Sequence, residues 1–125
     1  MQDPVPMRTD ARPGNRAPIV PHEVEGEILR LNGLLDNATE DIARLGTERA
    51  NAKMDALLAH ANAIARSKGR SQDVREAEAL VASEPQQREY EIKDATLRAM
   101  KEAAHNIRAQ LDALRSVNAN VRYQS

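Results

Sequence analysis

Apolar residues recur at alternating intervals of four and three from His22 onward, and this pattern is sustained for about 40 residues. Such spacing places the apolar side chains on one stripe of a long amphipathic helix with a coiled-coil type of seam. Arg49 is the one charged residue within the stripe. The predicted seam consists of Val24, Ile28, Leu31, Leu35, Ala38, Ile42, Leu45, Arg49, Ala52, Ala56, Ala59 and Ala63.

A second stripe with the same spacing runs from Tyr90 to Val121 and predicts another long helix. Between the two stripes lies the segment SQDVREAEALVA, in which Ser71 can cap a short helix. We therefore expect helices over residues 22–66, 71–82 and 84–120. The second seam consists of Tyr90, Lys93, Leu97, Met100, Ala104, Ile107, Leu111, Leu114, Asn118 and Val121.

The helix ends carry recognisable signals. Gly69 follows the first helix and is suited to a left-handed cap. Ser83 precedes Pro85 and Gln86, and this order predicts a capping box at the start of the third helix, with proline in its first turn.

The two long helices predict an all-α fold, an antiparallel helical hairpin in which the short helix braces the bend. If residue 66 lies opposite residue 84, the numbers of facing residues sum to about 150. This register predicts that Arg49 lies near Met100 and that His60 lies near Tyr90.

Residues 1–21 differ in composition from the rest of the chain. Five of the six prolines lie there, so no helix can run through the segment. We expect an extended or disordered arm over residues 1–21 that orders against a partner, and a helical domain over residues 22–122.

The composition favours a thin, extended core. Leu, Ile and Val make up 24 of the 125 residues, alanine contributes 21, and Phe, Trp and Cys are absent. The sequence has no glycine-rich phosphate loop and no nucleophile elbow, and its three histidines do not converge in this fold. We expect no enzyme, no metal and no cofactor. No apolar run is long enough to span a membrane, so we expect a soluble, non-secreted protein, and the absence of cysteine fits a cytoplasmic or virion-associated one.

Charged residues form two rows at heptad spacing. A basic row, Lys101, Arg108, Arg115 and Arg122, flanks one edge of the second seam, and an acidic row that includes Asp41 and Glu48 flanks the other edge of the first. Within one antiparallel hairpin such rows miss each other. The rows are either solvated, or they pair between copies and make these six residues partner-binding.

Two further features leave alternatives open. Arg66, Lys68 and Arg70 cluster at the bend, either to contact nucleic acid or because cations are favoured at a helix C-terminus. Gly26 and Gly33, like Gly46, either weaken the first helix or allow another helix to approach closely.

The tract from Glu76 to Arg122, which ends LDALRSVNANVR, resembles short helical proteins of unassigned activity from tailed phages and prophages of actinobacteria. The resemblance implies a phage origin and an accessory role near DNA recombination and replication. It implies no catalytic residues.

The function predicted from these features is a non-enzymatic module for protein–protein interaction. Apolar residues outside the two seams favour self-association, in addition to binding another protein. The alternative is an accessory factor that binds DNA or a recombinase through its basic residues. The apolar residues outside the seams are Leu34, Leu57, Leu58 and Ile64.

Overall fold

The computed structural model describes residues 21–124, which form three helices and, within that range, no strand. Helix α1 is Pro21–Arg66, α2 is Gln72–Ala82 and α3 is Glu84–Gln124. Helix α1 packs along α3, so the predicted all-α hairpin is confirmed. Helix α3 continues four residues beyond the predicted end. The arm predicted for residues 1–21 lies outside the described residues, except that Pro21 begins α1.

The core follows the two predicted seams. Every described member of both seams is buried or half-buried, and buried members recur every seven residues from Val24 to Ala52 in α1 and from Leu97 to Leu111 in α3. The buried apolar residues are Val24, Leu31, Ala38, Leu45, Ala52, Ala56, Ala63, Ala79, Leu97, Ala104 and Leu111.

The bend lies between α1 and α2. Gly69 adopts a φ of 88°, the left-handed conformation predicted for it. The buried Ser67 hydroxyl donates a hydrogen bond to the carbonyl of Ala63, at 2.9 Å. Ser71 caps α2 by accepting a hydrogen bond from the Val74 amide. These bonds satisfy groups that the helix ends leave unpaired.

Helices α2 and α3 meet at Ser83 with the helical hydrogen-bond pattern almost intact. The Ser83 amide donates to the Ala79 carbonyl at 3.0 Å, and the Ser83 carbonyl accepts from the Gln87 amide at 2.9 Å. The Ser83 hydroxyl donates to Ala79 as well, at 2.7 Å. The capping box predicted for Ser83 and Gln86 is therefore wrong, because the serine hydroxyl bonds back to the preceding turn.

Helix α2 braces the bend by packing beside the last turns of α1. His60 Nε2 lies 3.3 Å from Glu76 Oε2, and Ser67 Oγ donates to Glu78 Oε1 at 3.2 Å. The prediction that His60 lies near Tyr90 is wrong, since α2 occupies that side of α1.

The predicted register is also wrong. Glu48 bonds Lys93 and Asn32 bonds Arg115, so the paired numbers sum to 141 and 147 rather than 150. Arg49 bonds Asp94 and not the Met100 region. The physical reason is that the chain reverses at residues 67–71, and α2 already forms the first part of the returning limb.

Candidate interaction surface

Two members of the predicted basic row contact α1 of the same hairpin. Arg122 Nη2 lies 2.9 Å from Glu25 Oε2, and Arg115 Nη2 donates to Asn32 Oδ1 at 3.5 Å. The arginine of the first pair is 66 % exposed and the carboxylate 49 %, so the pair contributes about 0.2–1 kcal/mol and serves mainly to align the helix ends.

The other two members, Lys101 and Arg108, are exposed on α3. Neither forms an ion pair with any residue of the described range. They are the part of the basic row that remains available to a partner.

The acidic residues predicted to bind a partner are already bonded within the hairpin. Arg44 lies 3.5 Å from Asp41 and 2.9 Å from Glu48, and Lys93 Nζ lies 2.9 Å from the second Glu48 oxygen. Hydrogen bonds from Lys93 and Arg44 hold the pKa of Glu48 below its ordinary value. An ion pair between copies at Asp41 or Glu48 would have to replace these bonds.

The charges of each helical limb change sign along its length. Residues 21–43 carry six acidic and one basic residue, whereas residues 44–70 carry two acidic and six basic ones. The returning limb has the same order along the chain, with seven acidic and three basic residues in 72–97 and two acidic and five basic ones in 98–124. Antiparallel pairing therefore sets unlike charges together at both ends. The basic row of α3 faces the acidic half of α1.

The three cations at the bend differ in their contacts. Arg70 Nη1 lies 3.4 Å from Glu78 Oε2. Arg66 and Lys68 are exposed and form no ion pair within residues 21–124. Arg66 is the last residue of α1, where the helix dipole favours a cation without any ligand.

A polar cluster that the sequence reasoning missed lies at mid-hairpin. Arg49 Nε donates to Asp94 Oδ1 at 2.5 Å, and its Nη2 donates to the Tyr90 hydroxyl at 3.1 Å, with the guanidinium 5.3 Å from the ring centroid. Asp94 is buried and also pairs with Arg98. The hydrogen bond from Arg49 holds the pKa of Asp94 below its usual range, despite the opposing effect of burial.

The sequence contained a signal for this cluster. Arg49 interrupts the first seam and Lys93 interrupts the second. If Arg49 and Lys93 face each other, their residue numbers sum to 142. This is close to the sum of 141 given by the bond between Glu48 and Lys93. Polar residues inside an apolar seam commonly specify register in this way.

The side of α1 opposite the hairpin core carries a second row of residues at intervals of three and four, here called the outer seam. Three of its four large apolar members are exposed, Leu29 by 72 %, Met54 by 54 % and Leu57 by 54 %, and the fourth, Ile64, is half-buried. Leu58, beside this row, is exposed by 54 % as well. The outer seam consists of Gly26, Leu29, Gly33, Asp36, Glu40, Ala43, Thr47, Ala50, Met54, Leu57, Ala61 and Ile64.

The structure places the four predicted apolar flank residues as follows. Leu34, Leu57 and Leu58 are exposed, and Ile64 is half-buried. The sequence reasoning thus identified exposed leucines but did not recognise that two of the four positions, 57 and 64, belong to a continuous row.

The glycines of α1 have no packing role in the hairpin. A Cβ atom built on Gly26, Gly33 or Gly46 would meet no heavy atom of another segment or side chain within 4 Å. Close approach of α3 therefore does not require them. Gly26 and Gly33 lie in the outer seam, where they leave space beside Leu29.

Residues 21–124 hold no group of three or more His, Asp or Glu side chains arranged to bind a metal ion. None of their helices is both long and apolar enough to cross a membrane.

The chain matches no protein-family model, no curated protein and no solved structure. The resemblance of residues 76–122 to helical phage proteins therefore stays a prediction.

Proposed function

We propose that this protein is a non-enzymatic module that binds other proteins through the outer seam of α1. The observation that carries the proposal is the exposure of Leu29, Met54 and Leu57 on a helix whose opposite face already packs against α3. Leu58 extends the same apolar surface. Aligned, exposed apolar side chains of this size favour contact with another macromolecule.

Several features support contact over chemistry. The titratable residues with displaced pKa values, such as Asp94 and Glu48, are bonded to residues of opposite charge. Paired in this way they hold the hairpin together, and none is left free as a general acid or base. The phage origin implied by the resemblance is part of the proposal, and it makes proteins of the phage and its host the first partners to test.

Site-specific photo-crosslinking tests the interaction surface. A photoreactive phenylalanine at Leu57 should give crosslinked protein products in cells that contain the native partners. The same probe at Gln110, an exposed position of α3, is the matched control. If position 57 gives no product beyond those of position 110, the proposed surface is wrong.

A second candidate function is DNA binding as an accessory factor, and it is favoured by four exposed cations that form no ion pair within residues 21–124: Arg66, Lys68, Lys101 and Arg108. Fluorescence anisotropy with duplex and single-stranded DNA tests it. Binding through phosphates should weaken steeply with salt. The double variants Arg66→Glu/Lys68→Glu and Lys101→Glu/Arg108→Glu would identify the contacting pair, and an unchanged affinity in both would exclude this mode of binding.

A further inference from the structure

We infer that the occupant of the outer seam is a second copy of this chain, with the two α1 helices antiparallel. This inference rests on the proposed function, because it names the partner of the same surface. Three features carry it: the sizes of the seam residues, the order of charges along α1, and the length of the contact.

The two ends of the outer seam are complementary in size to their own reverse, whereas the central pairs are Asp36 with Met54, Glu40 with Ala50 and Ala43 with Thr47. In an antiparallel pair centred on residue 45, each seam residue faces a residue of the other copy, and the two residue numbers sum to 90. Gly33 then lies opposite Leu57 of the other copy, and Gly26 lies opposite Ile64. Leu29 lies opposite Ala61. Each of these pairs combines a small residue with a large one, as close helix packing requires.

One copy of the chain presents both the open space beside the glycines and the exposed leucines that this pairing requires. A Cβ on Gly33 or Gly26 would contact nothing in the hairpin, so space is present there. Leu57 and Leu29 are more than half exposed, so side chains able to fill such space are present too. In a parallel pair each glycine would face a glycine, and each leucine a leucine.

The order of charges on α1 also favours the antiparallel orientation. Residues 21–43 have a net charge of −5 and residues 44–70 have a net charge of +4. Antiparallel copies set these halves against each other, whereas parallel copies set like charges together. At the seam itself Asp36 of one copy lies within reach of Lys53 of the other, and neither forms an ion pair within the described residues.

The contact is long enough for a stable dimer. The seam spans Gly26 to Ile64, about 57 Å of helix at 1.5 Å per residue. A strip about 10 Å wide along both copies would bury about 1,100 Å² in total, near the lower end of specific interfaces. We therefore expect a dimer of micromolar rather than nanomolar affinity.

Disulfide crosslinking tests the orientation directly, because the native chain has no cysteine. Under mild oxidation the double variant Gly33→Cys/Leu57→Cys should form a covalent dimer. Each single variant should remain uncrosslinked, because the cysteine of one copy then faces a native residue, Leu57 or Gly33, of the other copy. Crosslinking of the single variants at equal rate would show a parallel pair and overturn the inference.

Sedimentation velocity tests the size match. Gly33→Leu sets a leucine against Leu57 and should weaken the dimer by at least about tenfold, which corresponds to roughly 1.4 kcal/mol. Adding Leu57→Ala should restore association, because the pair again combines a small and a large residue. Gln110→Leu, on an exposed position of α3, is the control and should leave the dimer unchanged.

The outcomes separate this inference from the proposed function. A chain that stays monomeric at about 100 µM overturns the second copy as occupant. If position 57 then still crosslinks to a different protein, the proposed function stands with another partner. A dimer that Gly33→Leu does not weaken also overturns the inference, since its interface would lie elsewhere.

Discussion

The two halves of the hairpin bury residues of different size. The open half, residues 21–45 with 98–124, buries mainly large aliphatic side chains. The bend half, residues 46–97, buries mainly alanine and serine. Its large residues Met54, Leu57 and Leu58 are exposed. The buried residues of the open half are Val24, Leu31, Ala38, Leu45, Ala104 and Leu111, and those of the bend half are Ala52, Ala56, Ala63, Ser67, Ala79, Ser83, Asp94 and Leu97.

This difference shows that the two halves are stabilised by different interactions. Burial of apolar area contributes about 25 cal/mol per Å², so an alanine seam contributes less than a leucine seam. The bend half compensates with hydrogen bonds, among them those from Arg49 to Asp94 and from Ser67 to Ala63. Met54, Leu57 and Leu58 of the bend half remain exposed on α1, where they form the interaction surface together with Leu29 of the open half.

The largest effect should come from a cavity in the open half. Leu111→Ala removes a side chain that is 1 % exposed and should cost about 2–4 kcal/mol of the free energy of unfolding. Leu57→Ala in the bend half is the matched control, and at low protein concentration it should cost less than about 0.5 kcal/mol. Urea titrations monitored by circular dichroism measure both. Equal losses would contradict the contrast between the halves.

A smaller effect is expected from overfilling the alanine seam. Ala56→Leu places a large side chain where α1 packs on the returning limb, and it should destabilise the hairpin by about 1–3 kcal/mol. Ala50→Leu, on the exposed face of the same helix, should be nearly neutral. A stabilising Ala56→Leu would mean that the bend half has unfilled space.

The polar cluster should make the stability of the hairpin sensitive to acid. The pKa of Asp94 is lowered in the folded protein by the hydrogen bond from Arg49, so the carboxylate stabilises the fold at neutral pH. This contribution is present above the unfolded value of about 3.9 and is lost as the pH falls below it. We expect the melting temperature to fall as the pH is lowered from about 5 through this unfolded value.

The variant Asp94→Asn distinguishes the contribution of this cluster to acid sensitivity from the contributions of the other carboxylates. The variant should melt lower at pH 7 and show a weaker dependence on pH below about 5. Asp55→Asn, an exposed residue of α1, is the control and should keep the native profile. An Asp94→Asn profile parallel to that of the native chain would assign the acid sensitivity to other residues, such as Glu48.

The smallest effect should come from the N-terminal arm. Deleting residues 1–20 and retaining Pro21 should leave the helicity and melting temperature of the isolated hairpin unchanged, because this proline-rich segment offers few large apolar side chains for burial. Thermal melts of the two chains measure it. A marked loss of stability would show that the arm packs against one of the two halves.

The sequence by itself determined the helices, the seams and most of the helix ends. The spacing of apolar residues by four and three identified both seams, and every described seam residue from Val24 to Asn118 is buried or half-buried. The reason is that the period of the side chains alone decides which face of a helix turns inward. Gly69 and Ser71 marked the bend for an equally local reason, since left-handed φ and side-chain capping are properties of single residues.

Only the tertiary structure decided the register and, through it, the surface. A seam of repeated heptads pairs almost equally well after a shift of one heptad, so the register rests on long-range bonds such as those from Arg49 to Asp94 and from Lys93 to Glu48. The same packing left Leu29 and Leu57 outside and bonded Asp41 and Glu48 within the hairpin. Which charges and apolar side chains remain for a partner depends on what the core has already used, and periodicity within one helix does not contain that information.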